Sequence, residues 1–353
     1  MLRAHLYHIN RNELKPLNRD ELLQTAPSPE ETSRKNEADD ASTLRAGNTR
    51  CREGEFIWVD AVDPDEDDYK ILAERFNLHP MVLDDLREHQ ARPKLHDYGD
   101  YFYLVFYAIE FAQAQELKGR ADFELSEIDC LIGPDYVVTI HDTVLKPFED
   151  LRSRWEKHPQ MMKTGPAYLL YELMDEVLDD YFPALEKLDE RIDHIENGLF
   201  DGERNGDQRI TAEIFALKRD LLQIRHVAGP TRDVANILLR RDAETGGKHF
   251  AYFQDLYDHA VRIVDMTDTF RDVLSGALDA FLAVEGNKMN AVMKTLTSAS
   301  IMLLVPNLIA AIYGMNFENM PELKTRNGYF VVLGLMALAV LSLGAMFRRK
   351  GWL

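Results

Sequence analysis

The spacing of apolar residues changes three times along this chain, and each change predicts a different kind of structure. Between residues 55 and 141, short apolar runs alternate with polar turn signals. Residues 56–59 (FIWV), 101–111 (YFYLVFYAIEF), 127–133 (EIDCLIG) and 135–141 (DYVVTIH) read as strands, with Gly133-Pro134 as a turn between the last two. Asp63 is expected to cap a helix that has Pro64 at its first position, and His79-Pro80 precedes a second short helix. Residues 1–24 predict one strand and a short helix. After Pro166 the period lengthens to that of amphipathic helices, predicted over 167–198 and 206–241, and Gly246-Gly247 breaks the pattern again.

From His249 a stricter rhythm begins. Phe253, Leu256, Ala260, Ile263, Thr267, Phe270, Leu274, Ala277, Phe281 and Val284 alternate steps of three and four, with Thr267 the one polar member. This is a heptad seam. No proline interrupts it before the next apolar stretch, so one helix is predicted from about 249 to about 314, on the order of 100 Å long. A helix of that length must pack sideways, against the preceding helices or against copies of itself.

Two stretches then carry no charge, 295–317 and 327–347. Each reaches the roughly 20 residues that cross about 30 Å of hydrocarbon. Lys288 and Lys294 precede the first; Arg348, Arg349 and Lys350 follow the second. The excess of basic residues puts both ends in the cytoplasm and the short link FENMPELKTRNG outside. The second stretch has only Ser342 as a polar residue beyond Tyr329 and reads as a lipid-facing shell. The first carries Thr295, Thr297, Ser298, Ser300, Asn307 and Asn316. Amides in hydrocarbon are costly and normally face protein or water. Met293, Thr297, Ser300, Leu304, Asn307 and Ala311 fall on one helical face. That face either lines a narrow channel between copies or packs helix on helix through small residues. Pro306 either bends this helix or frees carbonyls toward a pore.

Charge sharpens the picture. The chain has 353 residues, 41 Lys plus Arg, 60 Asp plus Glu and a formal charge of −19. That balance excludes a general nucleic-acid binder, which needs surplus cations for phosphate. From residue 289 on, six basic residues face only Glu318 and Glu322, so the acidity belongs to the first 288 residues, where it can concentrate cations. Cys51 and Cys130 lie in no metal-binding spacing and are expected to be free thiols. MLRAHLYHINRNELK lacks the apolar core of a signal peptide. Residues 25–50 are rich in Ser, Thr, Glu, Asp and Pro and read as a flexible loop. No P-loop or nucleophile–base pattern stands out, so no enzyme is expected.

The link itself is the most specific local feature: Tyr313-Gly314-Met315-Asn316-Phe317-Glu318-Asn319-Met320-Pro321-Glu322-Leu323. It resembles the signature of the CorA family of divalent-cation transporters, where Gly-Met-Asn closes the first of two C-terminal spans and a Met-Pro-Glu-Leu loop follows. WVDAVDPDEDD, FNLHPMVLDDL, QARPKLHDYGDYFYLV, LLYELMDEVLDDYF, YFQDLYDH, TFRDVLSG and the tail ending Gly-Trp-Leu also look like family blocks. The expected architecture is an α+β/α membrane protein. It has a cytoplasmic α/β domain (1–160, with the loop 25–50), a helical hairpin (161–248), a stalk helix running into the first span (249–316), an extracytoplasmic loop (317–328), the second span (329–348) and a basic tail (349–353).

The resemblance implies a homopentameric funnel in a bacterial inner membrane. It implies passive uptake of Mg²⁺, with Co²⁺ and sometimes Ni²⁺ as further substrates, and no organic cofactor. Carried onto this sequence, Gly314, Met315 and Asn316 form the selectivity filter. The amide oxygens of Asn316 would accept hydrogen bonds from the water shell that Mg²⁺ sheds reluctantly. Asn290, Met293, Leu296, Ser300, Leu304 and Asn307 line the pore, with Met293 and Leu296 as its apolar constriction. Glu318 and Glu322 attract cations at the mouth, opposed by Lys324 and Arg326. Regulatory Mg²⁺ between subunits falls to Asp85 and Asp255, with Asp84 and Asp258 as neighbours, while His259, beside Asp258, reads either as a soft-metal ligand or, as a lone His on a helix usually is, as structural. The chain has Asn and Leu at mid-pore positions where some relatives have Thr and Met, and Pro306 is displaced by one residue. Two other readings are a zinc transporter of the same fold, against which Met315 argues, and a non-conducting membrane-tethered coiled-coil scaffold, which leaves the amides of the first span unexplained.

Overall fold

The structure is a computed structural model that describes residues 2–8, 13–24, 55–88, 91–111, 123–198, 207–315, 320 and 326–352. The predicted loop 25–50 lies outside the described residues. The chain divides into two compact units, Met1–Ser275 and Gly276–Leu353.

The first unit is built on a mixed sheet. Its strands are β1 (Leu2–His8), β2 (Glu13–Leu17), β3 (Glu55–Val62), β4 (Lys94–Asp97), β5 (Phe102–Phe111), β6 (Phe123–Ile132) and β7 (Tyr136–His141), in the order β2-β1-β3-β7-β6-β5-β4. Only the β3–β7 pair is parallel among the described strands. The N-terminal segment supplies two strands where one was expected: β1 joins β3, and β2 folds back on β1 at the edge. β3 and β7 are buried on both sides because both sheet faces are covered. A Cβ at Gly133 would collide with the Tyr136 ring, which explains the glycine in the β6–β7 turn.

One face of the sheet packs on α1 (Arg19–Gln24), α2 (Glu66–Phe76) and α3 (Pro80–Glu88) through Leu22, Leu72, Phe76, Val82, Leu86, Tyr103, Val105, Leu131 and Val138. The cap of α2 is not where the sequence placed it. Asp65, not Asp63, accepts from the amides of Asp67 (3.0 Å) and Asp68 (2.7 Å), and Asp68 returns a carboxylate to the Asp65 amide at 3.3 Å. An N-cap needs extended backbone, which Asp65 has (φ −83°, ψ 173°). Asp63 is instead spent on the turn after β3, with φ 46°.

On the other face lie α4 (Lys146–Lys157) and α5 (Pro166–Asp179), where Trp58 meets Phe148 and Trp155 edge-on. Beneath them Asp60 is buried, bonded to His141 Nε2 (2.9 Å), Thr139 Oγ1 (2.7 Å) and Arg152. Burial pushes this carboxyl up, but the His141 and Arg152 charges and the Thr139 bond outweigh it and hold it below the usual range. The helix expected over 167–198 is two helices, α5 and α6 (Tyr181–Gly198). Pro183 has no amide hydrogen for the Asp179 carbonyl, so a continuous helix loses a bond there.

α7 (Asp207–Glu244) and α8 (Phe250–Tyr313) complete the helical part. The heptad seam of α8 is buried from Phe253 to Ala277, and Thr267 satisfies its hydroxyl on the Ile263 carbonyl at 2.7 Å. Its flanks reach the earlier helices of the same chain. Tyr171 bonds Asp255, Arg225 bonds Asp268 and Lys218 bonds Ser275. The upper seam therefore packs against preceding helices.

The second unit holds the C-terminal part of α8 and α9 (Gly328–Arg349). Both helices are long and apolar enough to cross a membrane. Pro306 lies inside α8 and leaves the Met302 carbonyl without its usual donor. After α9 the chain turns back, so that Trp352 stacks on Phe347 (5.7 Å between centroids) and its carbonyl accepts from Thr295 at 3.3 Å.

Candidate cation sites

The paired spans sort the first one into two faces. Ser298 is buried, and Ile301, Met302, Val305, Pro306 and Ile309 are partly covered. Met302 lies against Gly344 of α9, where a Cβ would be 3.8 Å from its sulfur. Met293, Thr297, Ser300, Leu304, Asn307 and Ala311 are exposed, as are Asn290 and Leu296. The predicted polar face is thus left uncovered by α9, together with Leu303, Leu308 and Ile312 beside it. Thr295, Ser298 and Ser300 donate to the carbonyls of Ala291, Lys294 and Leu296. This quiets the hydroxyl hydrogens and leaves oxygen lone pairs as acceptors. Gly314 closes α8 with a bond to the Ala310 carbonyl at 2.9 Å, and a Cβ there would be only 3.2 Å from that oxygen. Gly314 and Met315 are exposed. Asn316, Glu318 and Glu322 lie outside the described residues.

Asp85 and Asp255 lie in the first unit with different partners. Asp85, on α3, pairs with Lys94 at the start of β4. The strand register sets Lys94, Tyr103, Asp129 and Glu127 on the sheet face that carries α3. Lys94 Nζ stands 5.1 Å from the Tyr103 ring centroid, and Tyr103 donates to Asp129 at 2.6 Å. Asp129 is buried and its second oxygen has no partner. Burial and the neighbouring Glu127 and Asp85 charges push its carboxyl up to about 8, against the Tyr103 bond and the Lys94 charge.

Asp255 belongs to a cluster that sequence reading did not assemble. Its Oδ2 accepts from Tyr171 at 3.1 Å, and its Oδ1 is 3.8 Å from His259 Nε2. His259 Nδ1 lies 3.1 Å from Asp175 and 3.9 Å from Asp179. One ligand atom each from Asp175, Asp179 and His259 falls within 4.8 Å of the others. Burial, then repulsion from Asp179 and Asp255, raises the Asp175 carboxyl, with His259 opposing. A cation relieves repulsion of this kind between carboxylates. Each half of the cluster was visible in sequence as an i,i+4 pair, Asp175/Asp179 on α5 and Asp255/His259 on α8. That the two pairs face each other is a tertiary fact. His259 is therefore not isolated, since both of its ring nitrogens face carboxylates.

A sheet-based unit carrying exposed carboxylates, and two helices long and apolar enough to cross a membrane, are the features that the comparisons with known proteins join in one class, the divalent-metal transporters. The chain matches the CorA-like Mg²⁺ transporter protein family over residues 53–349 and belongs to that family. It is 34% identical over 298 residues to YfjQ of Bacillus subtilis (84% of this chain, 90% of that protein). It is also 34% identical over 284 residues to the cobalt/magnesium transport protein CorA of Thermotoga maritima (80% and 79%). The complete structure of the CorA magnesium transporter from Methanocaldococcus jannaschii has the same fold, with a TM-score of 0.74 at 23% identity over 100% of this chain and 99% of that one.

Proposed function

We propose that this protein is a passive Mg²⁺ channel that also admits Co²⁺ and sometimes Ni²⁺, working as a homopentamer of the inner membrane with both termini cytoplasmic. The observation that carries this reading is the uncovered face of the first span, where Asn290, Met293, Leu296, Ser300, Leu304 and Asn307 follow one another toward Gly314 and Met315. Five such faces around an axis offer oxygen acceptors at Ser300 and Asn307 and an apolar ring at Met293 and Leu296. Acceptors suit an ion that keeps its water shell, and an apolar ring closes by dewetting. Asn316 supplies amide oxygens at the outer mouth, and Glu318 and Glu322 draw cations toward it. The driving force is the membrane potential, about 2.3 kcal/mol per charge per 100 mV, and so about twice that for a divalent ion.

Cytoplasmic Mg²⁺ bridging Asp85 of one subunit and Asp255 of the next holds the pore shut. Asp175 and Asp179 deepen the negative field at the Asp255 end, and His259 tempers it. Loss of the ion releases the repelling carboxylates and shifts the population toward open states. The test is Mg²⁺ flux into liposomes. Wild-type protein conducts, and Asn316→Ala abolishes flux while the purified oligomer keeps its elution volume. Wild-type protein without flux would leave the scaffold reading in place, and Zn²⁺ flux in preference to Mg²⁺ would favour the zinc reading.

A further inference from the structure

The ion pair at Asp85 bears on how a regulatory Mg²⁺ would bind there, and the inference rests on reading Asp85 as a regulatory ligand. In this chain the carboxylate is already held by a cation. Lys94 Nζ is bonded to Asp85 Oδ2, with side chains 24% and 37% exposed respectively. From that one position the ammonium also meets an aromatic face. It stands over the Tyr103 ring, and its charge reaches buried Asp129. Glu127, two residues from Asp129 on β6, supplies a negative charge on the same sheet face. A lysine suits such a double contact. Its charge is a point on a flexible stem, whereas an arginine would lock the carboxylate with a two-pronged bond. An aromatic face stabilises the ammonium when it leaves the carboxylate.

We propose that Lys94 is a built-in competitor for the divalent ion at Asp85. Mg²⁺ and the ammonium cannot both hold the carboxylate at contact distance, because the two cations repel. Binding of the ion therefore requires Lys94 to leave Asp85 and stay over the Tyr103 face, on the side of Glu127. The competition raises the Mg²⁺ concentration at which the site fills, so Lys94 sets the sensing threshold. When Mg²⁺ falls, Lys94 recaptures Asp85 and removes the bare carboxylate that would otherwise bind the ion again.

The experiment is a Mg²⁺ titration of full-length protein in detergent, read as the concentration giving half-maximal protection from limited proteolysis. Lys94→Met keeps the apolar stem and removes the charge. It lowers the midpoint by roughly threefold to tenfold, the range expected for losing one partly exposed ion pair together with the repulsion between cations. Asp85→Asn raises the midpoint, and the double variant behaves as Asp85→Asn alone. An unchanged or raised midpoint in Lys94→Met, with Asp85→Asn still raising it, overturns the competitor role and leaves Asp85 as a ligand. An unchanged midpoint in Asp85→Asn removes Asp85 from sensing and the competitor with it. Should Lys94→Met not yield folded oligomer, Lys94→Arg decides: a tighter competitor raises the midpoint, and no change counts against the proposal.

Discussion

At the scale of single residues, the most consequential group in the α/β unit is a carboxyl that no ion pair neutralises. Asp129 is buried, takes one bond from Tyr103 and has its other oxygen without a partner. Its carboxyl is raised from 3.8 to about 8. The sign follows from proton counts. Between those two values the folded protein keeps a proton that the unfolded chain has lost, so stability is greatest at low pH and falls as pH rises, by about 1.4 kcal/mol per unit in the limit. Asp129→Asn keeps an oxygen for Tyr103 and removes the ionisation. The expected result is a thermal midpoint in detergent that falls less steeply than wild type from about pH 5 to about pH 8. Equal slopes in the two proteins would show that Asp129 titrates normally. The Asp60 site behaves oppositely, because His141, Arg152 and Thr139 compensate its burial.

At the scale of elements, two outcomes turn on small displacements along the chain. The α2 cap sits two residues beyond the position its Asp-Pro sequence implied, because the turn out of β3 uses Asp63. Asp65→Ala is therefore expected to cost about 1 kcal/mol and speed hydrogen exchange in residues 66–76 roughly fivefold. Asp63→Gly, which suits a positive φ, leaves that exchange unchanged or slower. If Asp63→Gly instead matched Asp65→Ala, the cap assignment would fail. The first span turns on a similar detail. Ser298 and Ser300 differ by two positions, about 200° around a helix, and one is buried while the other is exposed. Ser298→Leu forces a larger side chain into a covered position and is expected to lower the melting temperature in detergent. Asn307→Ala leaves melting unchanged and reduces Mg²⁺ flux in liposomes. The reverse pattern would mean that the two faces have been exchanged.

At the scale of the whole molecule, an uncovered polar face on a membrane helix demands something beyond one chain. Two spans cannot enclose a pore, and amides turned to lipid are costly. If copies gather around an axis, Leu304 of each comes near its equivalents while Leu338 on α9 faces lipid. With Cys51 changed to Ser, Leu304→Cys is expected to give disulfide-linked dimers under mild oxidation, and Leu338→Cys to give none. Dimers from Leu338→Cys alone would place the second span at the axis. The acidity confined to the first 288 residues belongs to this scale too, since several copies add their fields and concentrate divalent cations where the proposed sensor lies.

The sequence by itself determined what depends on consecutive residues: the seam of α8, its unbroken run into the first span and the uncharged lengths of both spans. Each follows from a local period or a local transfer energy, so contacts between distant segments do not alter it. The tertiary structure decided which of those surfaces meet. Pro183 divided a predicted helix, and a turn moved a cap. Packing of α5 beside α8 joined two i,i+4 pairs 84 residues apart into one cluster around His259. Docking of α9 covered the Ser298 face and left the Ser300–Asn307 face free. Periodicity assigns residues to faces, but only contact between segments selects the face that is buried. That choice leaves the polar stripe of the first span uncovered by α9, and the proposed pore rests on that stripe.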